Sequence, residues 1–160
     1  MSATIDPIIP KSLMESIKAT FSIQASTPIQ ILSVAPLASE SSQDIDLVAV
    51  IGLSGKTYYG TLALCFQKKT IIGIINKMLG ENYADLGQDN SDAAGELLNI
   101  IYASARVKIN ESGLGFEPAI PAVIRGIDIR VSHGTLNQVT KIDCMSEFGP
   151  FHVEVSLKRS

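Results

Sequence analysis

Two carboxylates and a carboxamide stand at helical spacing in Asp92-x-x-x-Glu96-x-x-Asn99, inside an otherwise apolar run. Each helical residue advances roughly 100°. Positions 92, 96, 99, 103, 106 and 110 therefore fall on one narrow stripe, which carries Asp92, Glu96, Asn99, Ala103, Arg106 and Asn110. The opposite face carries Ala94, Leu97, Leu98, Ile101, Ala105 and Ile109 and is expected to pack on a core. An acceptor-only carboxylate and a carboxamide, which both donates and accepts, thus point at solvent one turn apart on a rigid element. Gly95 and Ala103 are small and are expected to leave room for something to approach. Taken alone, the stripe also describes the solvated face of an ordinary amphipathic helix.

The elements that would position this stripe are readable in outline. Leu13, Met14, Ile17 and Phe21 recur at helical spacing, so residues 10–25 are expected to be a helix, with Pro10 in its first turn and Pro28 beyond its end. Residues 28–36 read as extended, and the Ser-rich stretch 39–46 as a turn or loop. Residues 47–53 and 58–66 read as the strands of a hairpin turned by Ser54-Gly55-Lys56-Thr57. A short helix is expected over 69–79, with Gly80 at its end. Asn90 or Ser91 is the expected cap of a long helix over 91–111, stopped by Gly113 and Gly115. A Pro-rich extended piece follows, then strands near 127–133, 137–146 and 150–158. Hairpins joined to helical segments indicate the α+β class: a mostly antiparallel sheet packed against the long helix and further helices. No boundary divides residues 1–160, so one domain is expected.

Composition narrows the function classes. Hydrophobic residues make up 46% of the chain, enough for a sizeable core. No apolar run approaches the roughly 18 residues that span a bilayer, and no basic segment precedes an apolar one at the N-terminus. A cytoplasmic protein with no membrane partner is expected. The net charge of −3 argues against a nucleic-acid partner, which wants a basic face. Cys65 and Cys144 sit apart in apparent strands and read as small buried hydrophobes.

Several tempting motifs fail on context. Ser54-Gly55-Lys56-Thr57 resembles the end of a phosphate-binding loop, but Val50 stands where the first glycine belongs and a strand follows instead of a helix. Gly52-Leu53-Ser54-Gly55 is not a nucleophile elbow, because position 56 is Lys. His133 and His152 are distant in sequence and show no metal-ligand spacing, so each reads as a strand or turn residue. No cofactor or metal is expected in this chain.

The order of motifs resembles one family, the CheC/CheX/FliY phosphatases of bacterial chemotaxis, and within it the CheX branch. Asp92-x-x-x-Glu96-x-x-Asn99 is similar to the family's helix signature. Gly52-Leu53-Ser54-Gly55 with Tyr59-Gly60-Thr61-Leu62-Ala63-Leu64 resembles its hairpin, and Gly80 closes a short helix as the family's pattern does. Pro121-Ala122-Val123-Ile124-Arg125-Gly126 and Gly149-Pro150-Phe151-His152-Val153-Glu154-Val155 resemble its later segments. The similarity runs from about residue 8 to the C-terminus. Where the CheC branch carries a second signature, this chain has Ser12, Glu15 and Lys18, with the wrong spacing and no Asn, so one site per chain is expected.

The resemblance implies a CheC-like α/β sandwich and a phosphatase acting on the aspartyl phosphate of a CheY-type response regulator. The regulator is expected to bring its own Mg²⁺ and a Lys. Asn99 would position the attacking water and Glu96 would pair with that Lys. Asp92, Ala103 and Arg106 would support the site or touch the partner, and Asn110 shares their stripe. A homodimer joined through sheet edges is also implied, with 127–133 and 150–157 as candidate edges. The competing readings are a non-catalytic docking or motor-switch-type scaffold module of the same fold, and a small-ligand-binding regulatory domain.

Overall fold

The computed structural model describes residues 5–37, 44–134 and 138–160. In chain order the elements are α1 (Ile8–Gln24), β1 (Gln30–Pro36), β2 (Leu47–Ser54), β3 (Tyr58–Phe66), α2 (Lys68–Leu79), α3 (Gln88–Glu111), β4 (Ala122–Arg125), β5 (Gln138–Ser146) and β6 (Gly149–Arg159). The strands form one antiparallel sheet in the order β1-β5-β6-β3-β2-β4. The α+β expectation holds. Most of the Ser-rich stretch 39–46, and residue 137 of the expected fifth strand, lie outside the described residues.

Alternation along the strands explains the layering, because successive side chains leave a strand on opposite faces. Leu47, Ala49, Ile51 and Leu53 of β2, Leu62, Leu64 and Phe66 of β3, and Phe151, Val153, Val155 and Leu157 of β6 all join the main core. All three helices contribute to that same core, with Ile9, Leu13, Ile17 and Phe21 from α1 and Ile71, Ile74 and Ile75 from α2. Phe21, Phe66 and Phe151 meet there, with Phe151 centred 4.9 Å from Phe21 and 5.0 Å from Phe66. The other face of the sheet carries a smaller cluster of Ile45, Val48, Ala63 and Cys65, against which Val50, Ile129 and Val131 pack.

The structure corrects two expectations for the C-terminal half. The strand after the Pro-rich piece is β4, at 122–125, whereas 127–133 contains no strand. Asp128 takes a left-handed φ of 52° that interrupts extension there. The segment crosses over the sheet instead, held by Gly126 N–H to the Asp46 carbonyl at 2.9 Å and Ile129 N–H to the Ile45 carbonyl at 2.7 Å. Residues 150–157 belong to β6, which is paired on both sides with β3 and β5. Neither proposed segment is a free edge. A second copy that extended this sheet would have to add to β1 or β4, the outermost described strands.

Phe66 is fully buried at the meeting point of α1, β3 and β6. Replacing it with Ala leaves a cavity that rigid neighbours cannot close. Phe66→Ala is expected to lower unfolding free energy by about 3–5 kcal/mol, read from the midpoint of chemical denaturation.

Candidate functional site on the long helix

Helix α3 begins three residues earlier than expected, at Gln88. Its extended N-cap residue is Gly87 rather than Asn90 or Ser91. Asn90 lies inside the first turn, accepting the Gly87 N–H at 2.8 Å and donating to the Asp85 carbonyl at 2.8 Å. Ser91 donates from its hydroxyl to the Gly87 carbonyl at 2.6 Å. Both residues are buried, so the start of the helix is pinned. Ala94, Leu97, Leu98, Ile101, Ala105 and Ile109 are all buried in the core, as the periodicity requires. Ser16 of α1 donates to the Ile101 carbonyl at 2.7 Å and ties the two helices together.

The polar stripe divides into two parts. Its first half, Asp92, Glu96, Asn99 and Ala103, is exposed. No other described residue holds Asp92, Glu96 or Asn99 by a side-chain hydrogen bond or ion pair. Its second half is engaged within the fold. Asn110 donates to the Phe116 carbonyl at 2.9 Å and accepts the Phe116 N–H at 2.7 Å. Arg106 donates to the same carbonyl at 3.3 Å, and the Tyr102 hydroxyl donates to the Glu117 carbonyl. Arg106 and Asn110 thus hold the chain that leaves the helix. That chain is also fastened to the β2–β3 turn, with Glu117 N–H to the Ser54 carbonyl at 2.8 Å and Lys56 N–H to the Leu114 carbonyl at 2.9 Å. Ser54, expected in the turn, is instead the last residue of β2, paired with Tyr59.

The exit segment then runs back past the upper stripe and completes a groove. Asp92, Gly95, Glu96 and Asn99 form one wall, and Ile120, Pro121 and Val123 form the other, around about 340 Å³. Gly95 serves this wall and does not open space for a partner. A Cβ there would lie 2.9 Å from Val123 Cγ2, so only glycine lets β4 pack this close to α3. Ile120 is 91% exposed at the rim, an apolar contact that periodicity in the helix could not reveal. The groove therefore offers an acidic group, a carboxamide and an apolar lip to a visiting surface. A larger hollow near Lys68 and Lys69 has two of its polar residues already engaged. There the Asp46 carboxylate accepts the Lys68 N–H at 2.8 Å, and Lys68 pairs with Asp85 at 2.8 Å.

A second polar cluster lies on the far face of the sheet, where the two histidines meet. His152 Nε2 is 2.9 Å from Glu154 Oε2, and His133 Nε2 is 2.9 Å from Glu154 Oε1. The Cys65 thiol donates to Glu154 Oε2 at 3.4 Å. Burial works to raise the Glu154 carboxyl, but the hydrogen bonds from His152 and His133 outweigh it and hold the group at about 2. Burial, reinforced by the Glu154 charge, pushes the Cys65 thiol well up. Sequence spacing missed this meeting because it depends on the β3–β6 register and on the crossing segment that delivers His133.

Comparison with known proteins agrees with this architecture. A family profile described as "Chemotaxis phosphatase CheX" matches residues 47–145. A CheX from Desulfovibrio desulfuricans superposes with a TM-score of 0.83 at 29% identity, covering 95% of this chain and 99% of that one. A CheC-like superfamily protein from Shewanella sp. PV-4 gives 0.88 at 22% identity, over 96% and 99%. A structure of a Borrelia burgdorferi CheX–CheY complex with BeF3 and Mg²⁺ gives 0.75 at 15% identity, over 97% and 99%. No curated protein sequence matches the chain significantly. Among the described residues, no helix is long and apolar enough to cross a membrane.

Two outcomes follow from these contacts. Glycine inside a helix ordinarily costs about 0.5–1 kcal/mol relative to alanine, but Gly95→Ala is expected to give no such gain while Val123 is present. In a Val123→Ala background the same change should recover it, a coupling visible in a double-mutant denaturation cycle. The depressed Glu154 carboxyl contributes stability that is complete above its ordinary value of 4.5 and is lost as pH falls toward about 2. Stability measured across that window should fall less steeply in Glu154→Gln than in the parent.

Proposed function

Because the chain belongs to the CheX family of chemotaxis phosphatases, we propose that it accelerates hydrolysis of the aspartyl phosphate on a CheY-type response regulator. The observation that carries this reading is the exposed Glu96–Asn99 pair, unengaged by other side chains and held on a helix whose opposite face is fully buried. The Borrelia burgdorferi relative, solved in complex with CheY, BeF3 and Mg²⁺, motivates the choice of partner.

The chemistry asks little of the helper. A regulator holds its own phosphoryl group beside Mg²⁺ and a Lys. Water attacks phosphorus in line, the bond from phosphorus to the aspartyl oxygen breaks, and the aspartate leaves as a carboxylate with inorganic phosphate. Phosphoryl transfer gains chiefly from positioning and electrostatics. The Asn99 carboxamide accepts a hydrogen bond from the attacking water and fixes its line of approach, while staying uncharged beside the phosphate. Glu96 pairs with the regulator's Lys, a contact that becomes desolvated on docking. Asp92 stands one turn earlier, near the helix N-terminus where a carboxylate is favoured, and supports the same surface. Ala103 continues the exposed stripe with a minimal side chain over which a partner can lie. Arg106 acts by holding the exit segment and, through it, the opposite groove wall. No covalent intermediate on this chain is required.

The test is the decay of aspartyl phosphate on a phosphorylated CheY-type regulator with Mg²⁺. The parent protein is expected to accelerate decay. Asn99→Ala should lose on the order of a hundredfold in that acceleration while still binding the regulator, and Glu96→Ala should lose binding as well as rate. Failure of the folded parent to accelerate decay of any regulator from the same cell would overturn the reading and favour a docking module.

A further inference from the structure

The buried cluster on the far face of the sheet has no part in the proposed reaction, and its composition is that of a metal site. Cys65 Sγ, a His152 ring nitrogen and a Glu154 carboxylate oxygen all lie within 4.8 Å of one another. The three residues come from two adjacent strands in fixed register. Cys65 is the direct pairing partner of His152, and His152 and Glu154 alternate along β6, so all three side chains leave the same face. Each is almost wholly shielded from solvent. Their surroundings are apolar on one side, where Ile45, Val48 and Ala63 pack with Ile129 and Val131. On the β5 side, Lys141 and Asp143 face Glu154 and His152, but they pair with each other at 3.3 Å.

We propose that Cys65, His152 and Glu154 bind a divalent transition metal, Zn²⁺ before others, with His133 fixing the carboxylate from its second oxygen. One thiolate, one imidazole and one carboxylate form a borderline-soft set that suits Zn²⁺ and does not suit Mg²⁺ or Ca²⁺, which want oxygen alone. Tetrahedral zinc with bonds of roughly 2.0–2.3 Å needs ligand atoms about 3.3–3.8 Å apart. The Cys65–Glu154 separation of 3.4 Å already meets this, the His152–Glu154 separation of 2.9 Å has to open, and the Cys65–His152 separation lies within 4.8 Å. His133 plays the part usual for an outer-sphere partner, a hydrogen bond at 2.9 Å that orients a ligating carboxylate. Binding exchanges one proton for the metal. The Cys65 thiol must ionise, its proton leaving to solvent, and the His152 ring must carry its proton on Nδ1 so that Nε2 is free to ligate; affinity should rise with pH. The site lies on the opposite face of the sheet from α3, so it is independent of the Glu96–Asn99 surface.

The test uses the full chain, stripped with a chelator under reducing conditions and titrated with Co²⁺ as a spectroscopic stand-in. One Co²⁺ per chain is expected, with thiolate-to-metal charge transfer in the near ultraviolet and visible bands of a tetrahedral ion. Zn²⁺ should erase both, and it should raise the melting temperature in proportion to the logarithm of its excess. Cys65→Ser should abolish the charge-transfer band, whereas Cys144→Ala should keep it, because Cys144 belongs to the main core on the other face. His133→Asn, on the non-strand crossing segment, should weaken Co²⁺ binding about 10–100-fold without changing the band position. A folded parent protein with no charge-transfer band overturns the proposal without recourse to any variant. So does a band that survives Cys65→Ser.

Discussion

Burial of a single face of α3 governs the rest of the molecule. Leu97, Leu98, Ile101 and Ile109 are almost completely enclosed by the sheet and α1. Each such side chain contributes about 1.5–3 kcal/mol by leaving water. Turning the helix by one residue would expose several of them and drive Glu96 toward the core, where an unpaired carboxylate is costly. The direction in which Glu96 and Asn99 point is therefore set by hydrophobic packing and needs no contact of their own. That freedom matters chemically, because a carboxylate and carboxamide already paired within the chain would have to break those bonds before meeting a partner.

The second wall of the groove depends on the same helix by another route. The lower stripe does not face outward for a partner. Asn110, Arg106 and Tyr102 use their polar atoms to capture the backbone at Phe116 and Glu117. The chain then returns along the helix and lays Val123 against Gly95. One helix thus presents the functional groups with its first half and builds their surroundings with its second. The sheet shows the same division of labour between its faces, with the core on one side and the Cys65–His152–Glu154 cluster on the other.

Local periodicity made much of this legible. The apolar positions of α3, the β2–β3 hairpin, the α2 helix ending at Gly80 and the α+β class all follow from spacing of 3.6 or 2 and from turn residues. What escaped is non-local. Ile127, Ile129 and Val131 alternate as a strand would, yet the segment carries no ladder and instead crosses the sheet, because Asp128 breaks its extension. Residues 150–157 look like any β-rich edge in sequence, and only the strand order places them in the middle. Arg106 and Asn110 share the stripe of Glu96, but the loop that folds back on them is invisible to helical geometry. The cap moved to Gly87 because Asn90 serves better from inside the first turn, reaching back to two backbone groups at once. His133, His152 and Cys65 show no ligand spacing because pairing register, not sequence, unites them.

The most direct measurement of the central claim is where an activated regulator sits. Amide hydrogen exchange should be compared with and without a CheY-type regulator held in its phosphorylated-like state by beryllofluoride and Mg²⁺. The account predicts added amide protection along the Asp92–Ala103 face and at Ile120–Val123, with the far face of the sheet unchanged. Protection confined to β1 or to the segment over Cys65 and His152 would contradict it, because Glu96 and Asn99 would then never reach the phosphoryl group.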